Sequence, residues 1–399
     1  MTWSLGSLVD PVDAGEFFAS HHESRRLLVR RNRPDYFSSL LTGDDIDRIL
    51  TTIEMTDDDV SVVNAASEIS RSDYLYGDDT INIDRALRLH SDGATIILNS
   101  LHRRHGPLGE LCAALELEFS APFQTNVYLT PPTAQGFKPH FDTHDVFVLQ
   151  VEGSKRWKLY GTPVERALKG HGDDARQDDP GPVSEEFDLR AGDTLYIPRG
   201  LVHDAVSTDE PSLHITLGNL SWTWFDFMLQ AVEQLAASDR DIRAALPRGF
   251  AGGNFDRVAF RAQFADLASR IAENVEPEAV LDVFAERLIN RRPPFLRGQM
   301  AELAGLERVS ADTRAGCRPF LAYRVSEEGD SVHLRFHGNE LALPVHAAPA
   351  LRFALETPEF IIRDLPGELD DAGKVVLVKR LVREGLVRTL GAKKGNGSA

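Results

Sequence analysis

The chain changes its hydrophobic period several times, and each change marks a different kind of structure. Over the first ninety residues apolar positions recur mostly at helical spacing. Asp13-Ala-Gly-Glu16 ahead of Phe17 and Phe18 suits a helix start, and Asp44 to Ile53 repeats apolar residues every three or four positions. Asp57 to Asp84 mixes Asp, Ser and Asn with short apolar runs and reads as strands and loops. From Ala94 the pattern shortens. ATIILNS is a β-branched run, HGPLGELCAALELEF reads as an amphipathic helix, and then come FQTNVYLT, GFKPHFD, DVFVLQV, KRWKLYG, SEEFDL, DTLYIP, VHDAVS and LHITLGN. Turn signals (PPTAQG, EGS, RAGD, PRG) separate them, which predicts a β-sandwich or barrel. Gly161 to Val183 breaks that rhythm and reads as a long exposed insertion.

At Trp222 the period returns to helical. WTWFDFMLQAVEQLAA, DRDIRAAL, NFDRVAFRAQFADLASRIAENV and PEAVLDVFAERLINR carry almost no strand signal, and Pro293 and Pro294 end the block. Farther on, SVHLRFHGNELALP predicts a hairpin turning at Gly338-Asn339. PALRFALET, EFIIRDL and DDAGKVVLVKRLVREGL predict three short helices before LVRTL, an order that suits a winged helix, and the polar tail GAKKGNGSA is expected to be disordered.

Composition narrows the function classes. With 399 residues the chain is long for one domain. Its 44 Lys and Arg against 61 Asp and Glu give a net charge of −17, which opposes sequence-independent binding of nucleic acid. Cys112 and Cys317 form no CxxC pair, so neither a disulfide framework nor a thiolate zinc site is indicated. No apolar run reaches the roughly 18–20 residues that span a bilayer, and the N-terminus lacks a secretory pattern. These features lead to the expectation of a cytoplasmic protein with no membrane partner.

The sharpest chemistry lies in Lys138-Pro-His140-Phe-Asp142-Thr-His144-Asp145. On a strand His140 and Asp142 point to one face, an arrangement that suits a borderline metal such as Fe(II). About sixty positions later GDTLYIPRGLVH presents His203 after a Pro-Arg-Gly turn as the third ligand. HxD alone is weak and also describes a surface hydrogen-bonded pair; flanking strands and the second motif strengthen it. His144 falls on the same face by period two, but a turn at Thr143 breaks the alternation, which makes it a cavity-wall residue. His214, in LHITLGN, is the rival third ligand, and its apolar flanks favour a pocket-lining role. His21, His22, His102 and His105 sit in polar contexts and are expected to be solvated.

A two-His, one-carboxylate iron needs an electron source to activate O2, commonly 2-oxoglutarate, and that dicarboxylate needs a buried cation. Lys155 shares a strand face with Trp157, while Arg156 and Lys158 share the other, so Lys155 is the candidate anchor. Asn126 and Tyr128, two apart on the preceding strand, can donate hydrogen bonds to the cosubstrate. Each can equally be an ordinary strand residue.

NVYLTPPTAQGFKPHFDTHDVFVLQVEGSKRWKLY followed by GDTLYIPRGLVH resembles the JmjC-type cupin oxygenases of the ribosomal oxygenase branch. FFASHHESRRLLVRRNRPDYF and SDRDIRAALPRGF resemble that branch too. The resemblance implies an α+β fold: a double-stranded β-helix with N-terminal helical elements over 1–221, a helical dimerisation domain over 222–300 and a winged-helix domain over 301–390, with a tail at 391–399. It implies Fe(II) at His140, Asp142 and His203, and Lys155 on the distal carboxylate of 2-oxoglutarate. Asn126 and Tyr128 match positions lining the cosubstrate site. Some bacterial relatives carry Arg in place of Lys155. The family hydroxylates Arg or His side chains of ribosomal proteins, so a basic ribosomal protein segment is the expected partner and a homodimer the expected assembly. The alternatives are an oxygenase acting on a non-ribosomal peptide or small molecule, a cupin isomerase or non-redox binder, and a non-catalytic winged-helix DNA-associated regulator. Against the last, Arg363, Lys374, Lys379, Arg380 and Arg383 are interleaved with Glu359, Asp364, Glu368, Asp370, Asp371 and Glu384, whereas a phosphate-binding face is more one-sided.

Overall fold

A computed structural model describes residues 3–171 and 179–390. The tail at 391–399 and residues 172–178 of the anticipated insertion lie outside the described residues. Contacts divide the chain into two compact units, 1–221 and 222–399.

The first unit opens with α1 (Leu5–Val9), α2 (Ala14–Ser20), β1 (Leu27–Val29) and α3 (Gly43–Thr52), followed by β2 (Val60–Val63), α4 (Ile83–Ser91), β3 (Thr95–Leu98) and α5 (Gly106–Phe119). Local chemistry sets these helix starts. Asp13 caps α2 by accepting the Glu16 N–H at 3.0 Å, and Thr42 with Asp45 forms a capping box on α3. α5 buries a wide apolar arc, with Leu108, Leu111, Cys112, Ala113, Ala114 and Leu115 inside, while Gly106, Glu110, Leu117 and Glu118 stay exposed. So wide an apolar arc is what a helix packed against several other elements requires.

Seven strands then build the barrel: β4 (Phe123–Thr130), β5 (Asp145–Glu152), β6 (Ser154–Leu159), β7 (Glu185–Arg190), β8 (Thr194–Ile197), β9 (His203–Ser207) and β10 (Ser212–Asn219). One sheet runs β1-β8-β5-β10-β4-β3-β2 and a smaller one runs β7-β6-β9, and every pairing is antiparallel. This is the cupin-type double-stranded β-helix. The unbroken apolar run of β5 follows from burial on both faces. Val146 and Val148 join Trp157, Leu159, Leu189, Leu195 and Ile197 between the sheets, whereas Phe147, Leu149 and Val151 face the large core shared with the N-terminal helices.

The insertion departs from expectation. Residues 161–171 and 179–183 hold no helix or strand, yet Ala167 is fully buried. With Val164 it packs on Phe141, Tyr160 and Val202, behind the two motif segments.

The second unit begins with α6 (Trp224–Ser238), α7 (Arg257–Asn274) and α8 (Pro277–Arg291), whose shared core includes Ala231, Val280 and Phe284. DRDIRAAL forms turns rather than a helix. Next come α9 (Gln299–Gly305), β11 (Arg314–Cys317), β12 (Tyr323–Glu328), β13 (Ser331–Phe336), β14 (Asn339–Pro344), α10 (Ala348–Glu356), β15 (Phe360–Ile361), α11 (Asp371–Arg383) and β16 (Val387–Thr389). The hairpin turns at His337-Gly338, both at positive φ, with Phe336 opposite Asn339, one position before the anticipated turn. EFIIRDL is a two-residue strand and a single 3-10 turn rather than a helix. Its β-branched Ile361 and Ile362 favour that, and β15 pairs with β11 in the sheet β15-β11-β16.

The turn from β5 to β6 depends on Gly153, whose φ is +65° and where an added Cβ would stand 1.9 Å from the Pro211 carbonyl oxygen. Gly153→Ala is expected to destabilise the protein by about 2–4 kcal/mol, through φ strain and displacement of that backbone. Thermal melting measures it, and an unchanged melting temperature refutes it.

Candidate metal centre and its cavity

The two motif segments are joined by backbone hydrogen bonds. His140 N–H donates to the His203 carbonyl at 3.1 Å, and His203 N–H returns to the His140 carbonyl at 2.8 Å. Gly200 N–H adds a bond to the Asp142 carbonyl at 2.9 Å. The HxD segment is therefore no regular strand. It is a single bridge at the edge of β9, and in that directly opposed pair the two imidazoles project to the same side with ring centroids 4.7 Å apart.

His140, Asp142 and His203 each offer an atom within 4.8 Å of the others, the group among the described residues with metal-ligand spacing. His203 Nε2 lies 3.7 Å from Asp142 Oδ2. The tautomers are set from behind: His140 Nδ1 meets the Lys138 carbonyl at 2.9 Å and His203 Nδ1 meets the Leu201 carbonyl at 3.0 Å. A carbonyl can only accept, so each Nδ1 carries the proton and each Nε2 lone pair is free for a metal. Burial, and then the neighbouring His140, lowers the His203 pKa to about 4, so its ring is neutral at pH 7. Two imidazole nitrogens and one carboxyl oxygen fit a borderline divalent ion such as Fe(II).

These residues line a cavity of about 110 Å³ that also takes in Asn126, Tyr128, His144, Lys155, Trp157 and His214. Lys155, on the inward face of β6, is 4% exposed, and burial lowers its pKa to about 7. No carboxylate among the described residues pairs with it. An ammonium placed in such a pocket without a counter-charge points to an anionic ligand. His214 lies opposite Tyr128 in the β10–β4 register and stacks on it, centroids 4.6 Å apart and rings 5° from parallel. Burial, with Lys155 secondary, keeps His214 neutral, and its Nδ1 has no partner. It lies outside the metal-spaced group. Asn126 Oδ1 accepts the Ser100 N–H at 3.1 Å, which fixes the side-chain amide. His144 lies in the cavity wall. Arg156 points out of the barrel and pairs with Asp188 at 2.9 Å.

Four other histidines correct the solvated expectation to different degrees. His105 is buried with Nε2 2.9 Å from the Leu40 carbonyl, and burial lowers the His102 pKa to about 4. His21 binds the Arg26 carbonyl and His22 packs among Phe17, Phe18 and Phe119.

Sequence reasoning missed the support for this geometry. Asp145 is fully buried, accepting from Tyr196 OH at 2.8 Å and Arg199 N–H at 2.9 Å. The Arg199 guanidinium reaches Glu23 at 2.7 Å and Asp145 at 3.6 Å. The Pro-Arg-Gly turn is thereby tied to the strand that follows Asp142. Thr216 also lines the cavity, and the period-two step from His214 along β10 was the signal for it.

Residues 105–227 match the JmjC domain family. The chain is 36% identical over 265 residues to the bifunctional lysine-specific demethylase and histidyl-hydroxylase NO66 of Drosophila grimshawi, covering 61% of this chain and 35% of that protein. It is 30% identical over 314 residues to ribosomal oxygenase 2 of Bos taurus, covering 74% of this chain and 66% of that one. The chain thus spans about a third of the fly protein's length and close to two thirds of the bovine protein's. Among solved structures, the Escherichia coli ribosomal oxygenase YcfD superposes with a TM-score of 0.54 at 16% identity, over 95% of this chain and 98% of that one, a likeness of fold. The chain belongs to the JmjC-type cupin proteins of the ribosomal oxygenase branch.

Asp145→Ala is expected to leave Arg199 and Tyr196 without their shared buried acceptor and to cost about 3–5 kcal/mol, with Asp145→Asn costing less. Urea unfolding of the full chain checks this; equal stability of Asp145→Ala and the unaltered protein refutes it.

Proposed function

We propose that the chain is an Fe(II)- and 2-oxoglutarate-dependent dioxygenase that hydroxylates an Arg or His side chain of a ribosomal protein. The observation that carries this reading is a single cavity holding both the His140-Asp142-His203 face and the uncompensated Lys155. Bound Fe(II) supplies the oxidising chemistry: one O2 oxygen enters succinate as 2-oxoglutarate loses CO2, and the other enters the substrate C–H bond as a hydroxyl. The chain's own residues bind and orient. His140 and His203 present Nε2, and Asp142 contributes the anionic ligand that partly offsets the metal's charge. Lys155 takes the distal carboxylate, while Asn126, Tyr128 and His214 complete the cosubstrate wall. Trp157, buried beside His203 at 5.8 Å between centroids, keeps water from the reacting atoms.

Supporting a ribosomal substrate are the family branch and the charge: a chain of net −17 attracts a basic segment. A cytoplasmic setting goes with that substrate, and among the described residues no helix is long and apolar enough to cross a membrane. We read 222–300 as a helical dimerisation domain. Trp224 is 76% exposed, and Phe225, Met228 and Leu229 are each more than half exposed along α6, an apolar face that a second copy would cover. We read 301–390 as a winged helix that contacts protein rather than nucleic acid. Three of its cations are occupied internally, Arg363 with Asp312, Arg380 with Glu384 at 2.7 Å, and Lys374 with the Arg363 carbonyl at 2.6 Å.

Succinate formation from 2-oxoglutarate is expected to require added iron and to be lost in His140→Ala and His203→Ala, whose folded state circular dichroism verifies. Activity surviving in His203→Ala but not in His214→Ala refutes the ligand set.

Lys155 makes cosubstrate affinity pH-dependent, with a definite sign. In the empty pocket it loses its proton above about pH 7, yet the carboxylate needs the ammonium form. Affinity is therefore full below that value and falls as pH rises through it, by roughly tenfold or more between mildly acidic and mildly alkaline buffer. Calorimetry with the Mn(II)-loaded protein reads the change. Lys155→Arg, which stays charged, is expected to flatten the profile, and a flat profile in the unaltered protein removes Lys155 from the anchor position.

Light scattering at micromolar concentration is expected to give twice the 44.2 kDa chain mass. A mass of one chain, unchanged on concentration, rules the dimer out.

A further inference from the structure

His144 belongs to the metal cavity but has no job in the chemistry above. Neither ring nitrogen has a hydrogen-bond partner among the described residues, although the imidazole lines the cavity. Its ring lies directly over Gly218 of β10, where an added Cβ would stand 2.8 Å from both its Cδ2 and its Nε2. Any residue other than glycine at 218 would move this ring, so the barrel wall leaves space for it.

The β10 register places that ring within the cavity. His214 pairs with Tyr128, Thr216 with Asn126 and Gly218 with Gln124, so successive inward positions step along the chamber. Lys155 adjoins His214, close enough to depress its pKa. From His214 to Gly218 is four strand residues, about 13 Å. Lys155 and His144 therefore mark opposite ends of one chamber. A dicarboxylate held by Lys155 occupies the His214 end and leaves the His144 end for the other reactant.

We infer that His144 is a substrate-positioning residue, hydrogen-bonding the polar head group of the side chain to be oxidised from the end of the cavity remote from Lys155. The inference rests on the oxygenase reading. An imidazole can donate through one nitrogen and accept through the other, so it suits the hydrogen-bonding head group of an Arg or His side chain and discriminates against an aliphatic one, which would leave the ring unpaired.

The test begins with the unaltered protein, Fe(II) and 2-oxoglutarate acting on a proteolysed ribosome extract. The peptide that gains 16 Da is then resynthesised unmodified, with a fluorescent label, as the probe. Anisotropy with the Mn(II)-loaded protein measures binding without turnover. His144→Phe, which keeps a ring over Gly218 but no hydrogen bond, is expected to weaken peptide binding and raise the peptide KM about tenfold. The 2-oxoglutarate Kd is expected to shift less than twofold. His144→Gln is expected to recover much of the peptide affinity, and Gly218→Ala, which displaces the ring without altering it, is expected to mimic His144→Phe. Unchanged peptide binding in folded His144→Phe overturns the inference and leaves the oxygenase reading standing. An equal loss of peptide and 2-oxoglutarate affinity also overturns it, by making His144 part of the cosubstrate wall. Iron-dependent succinate formation with no oxidised ribosomal peptide removes the substrate and this inference together, and no succinate at all removes the oxygenase reading itself.

Discussion

The reciprocal backbone pair between His140 and His203 is the constraint on which the site depends. Two segments about sixty residues apart must hold three side chains to within a few tenths of an ångström, and a pair of opposed amide bonds does this more rigidly than side-chain packing alone. The pair also dictates the direction of the rings: opposed residues in a hydrogen-bonded bridge send their side chains to one face. The carbonyls of Lys138 and Leu201 then lock the tautomers, so the Nε2 lone pairs are aligned before any metal arrives. Asp142 is fixed through its own carbonyl by Gly200, in a turn that Val164 approaches too closely to admit a Cβ.

Support for that pair is electrostatic on one side and apolar on the other. Behind the turn, Asp145 gathers Tyr196 and Arg199, and Arg199 reaches Glu23, so the N-terminal helical region is coupled to the position of His203. Behind the HxD segment, Phe141 and Val202 pack with Tyr160, Val164 and Ala167. Breaking the ionic side would leave unpaired groups in a dry setting, where they cost most. Lys155 is the deliberate exception: a cation held where its charge is disfavoured, and so receptive to an anion that restores it.

Within the cavity, polarity is divided by strand. β6 contributes the cation, and β4 with β10 contributes the stacked Tyr128 and His214 and the amide of Asn126. The segment beside β9 contributes His140 and Asp142, which with His203 make the proposed metal face. Because inward side chains recur every second residue, the functional groups form rows whose spacing the backbone fixes. His144 stands outside these rows, after the turn at Thr143, and reaches the chamber only because Gly218 has no side chain.

Local periodicity carried much of this. Alternation placed Lys155 and Trp157 inward and Arg156 outward, the helical block after Trp222 was legible from spacing, and the HxD and GDTLYIPRGLVH motifs named three residues that the fold brings together. What failed were features with no short-range signature. EFIIRDL has the length of a helix, but pairing with β11 decides its conformation, and the hairpin register puts the turn at His337-Gly338 rather than one residue later. The segment around Val164 and Ala167 reads as polar punctuation, yet its few apolar residues close the back of the site. Asp145, Arg199 and Glu23 are ordinary charges until the barrel brings them together. The sequence by itself determined residue types and the face each presents, since dihedral preference and side-chain period act over a few residues. Only the tertiary structure decided which faces meet, because burial, desolvation and a shared charge network exist only after strands far apart in sequence have paired.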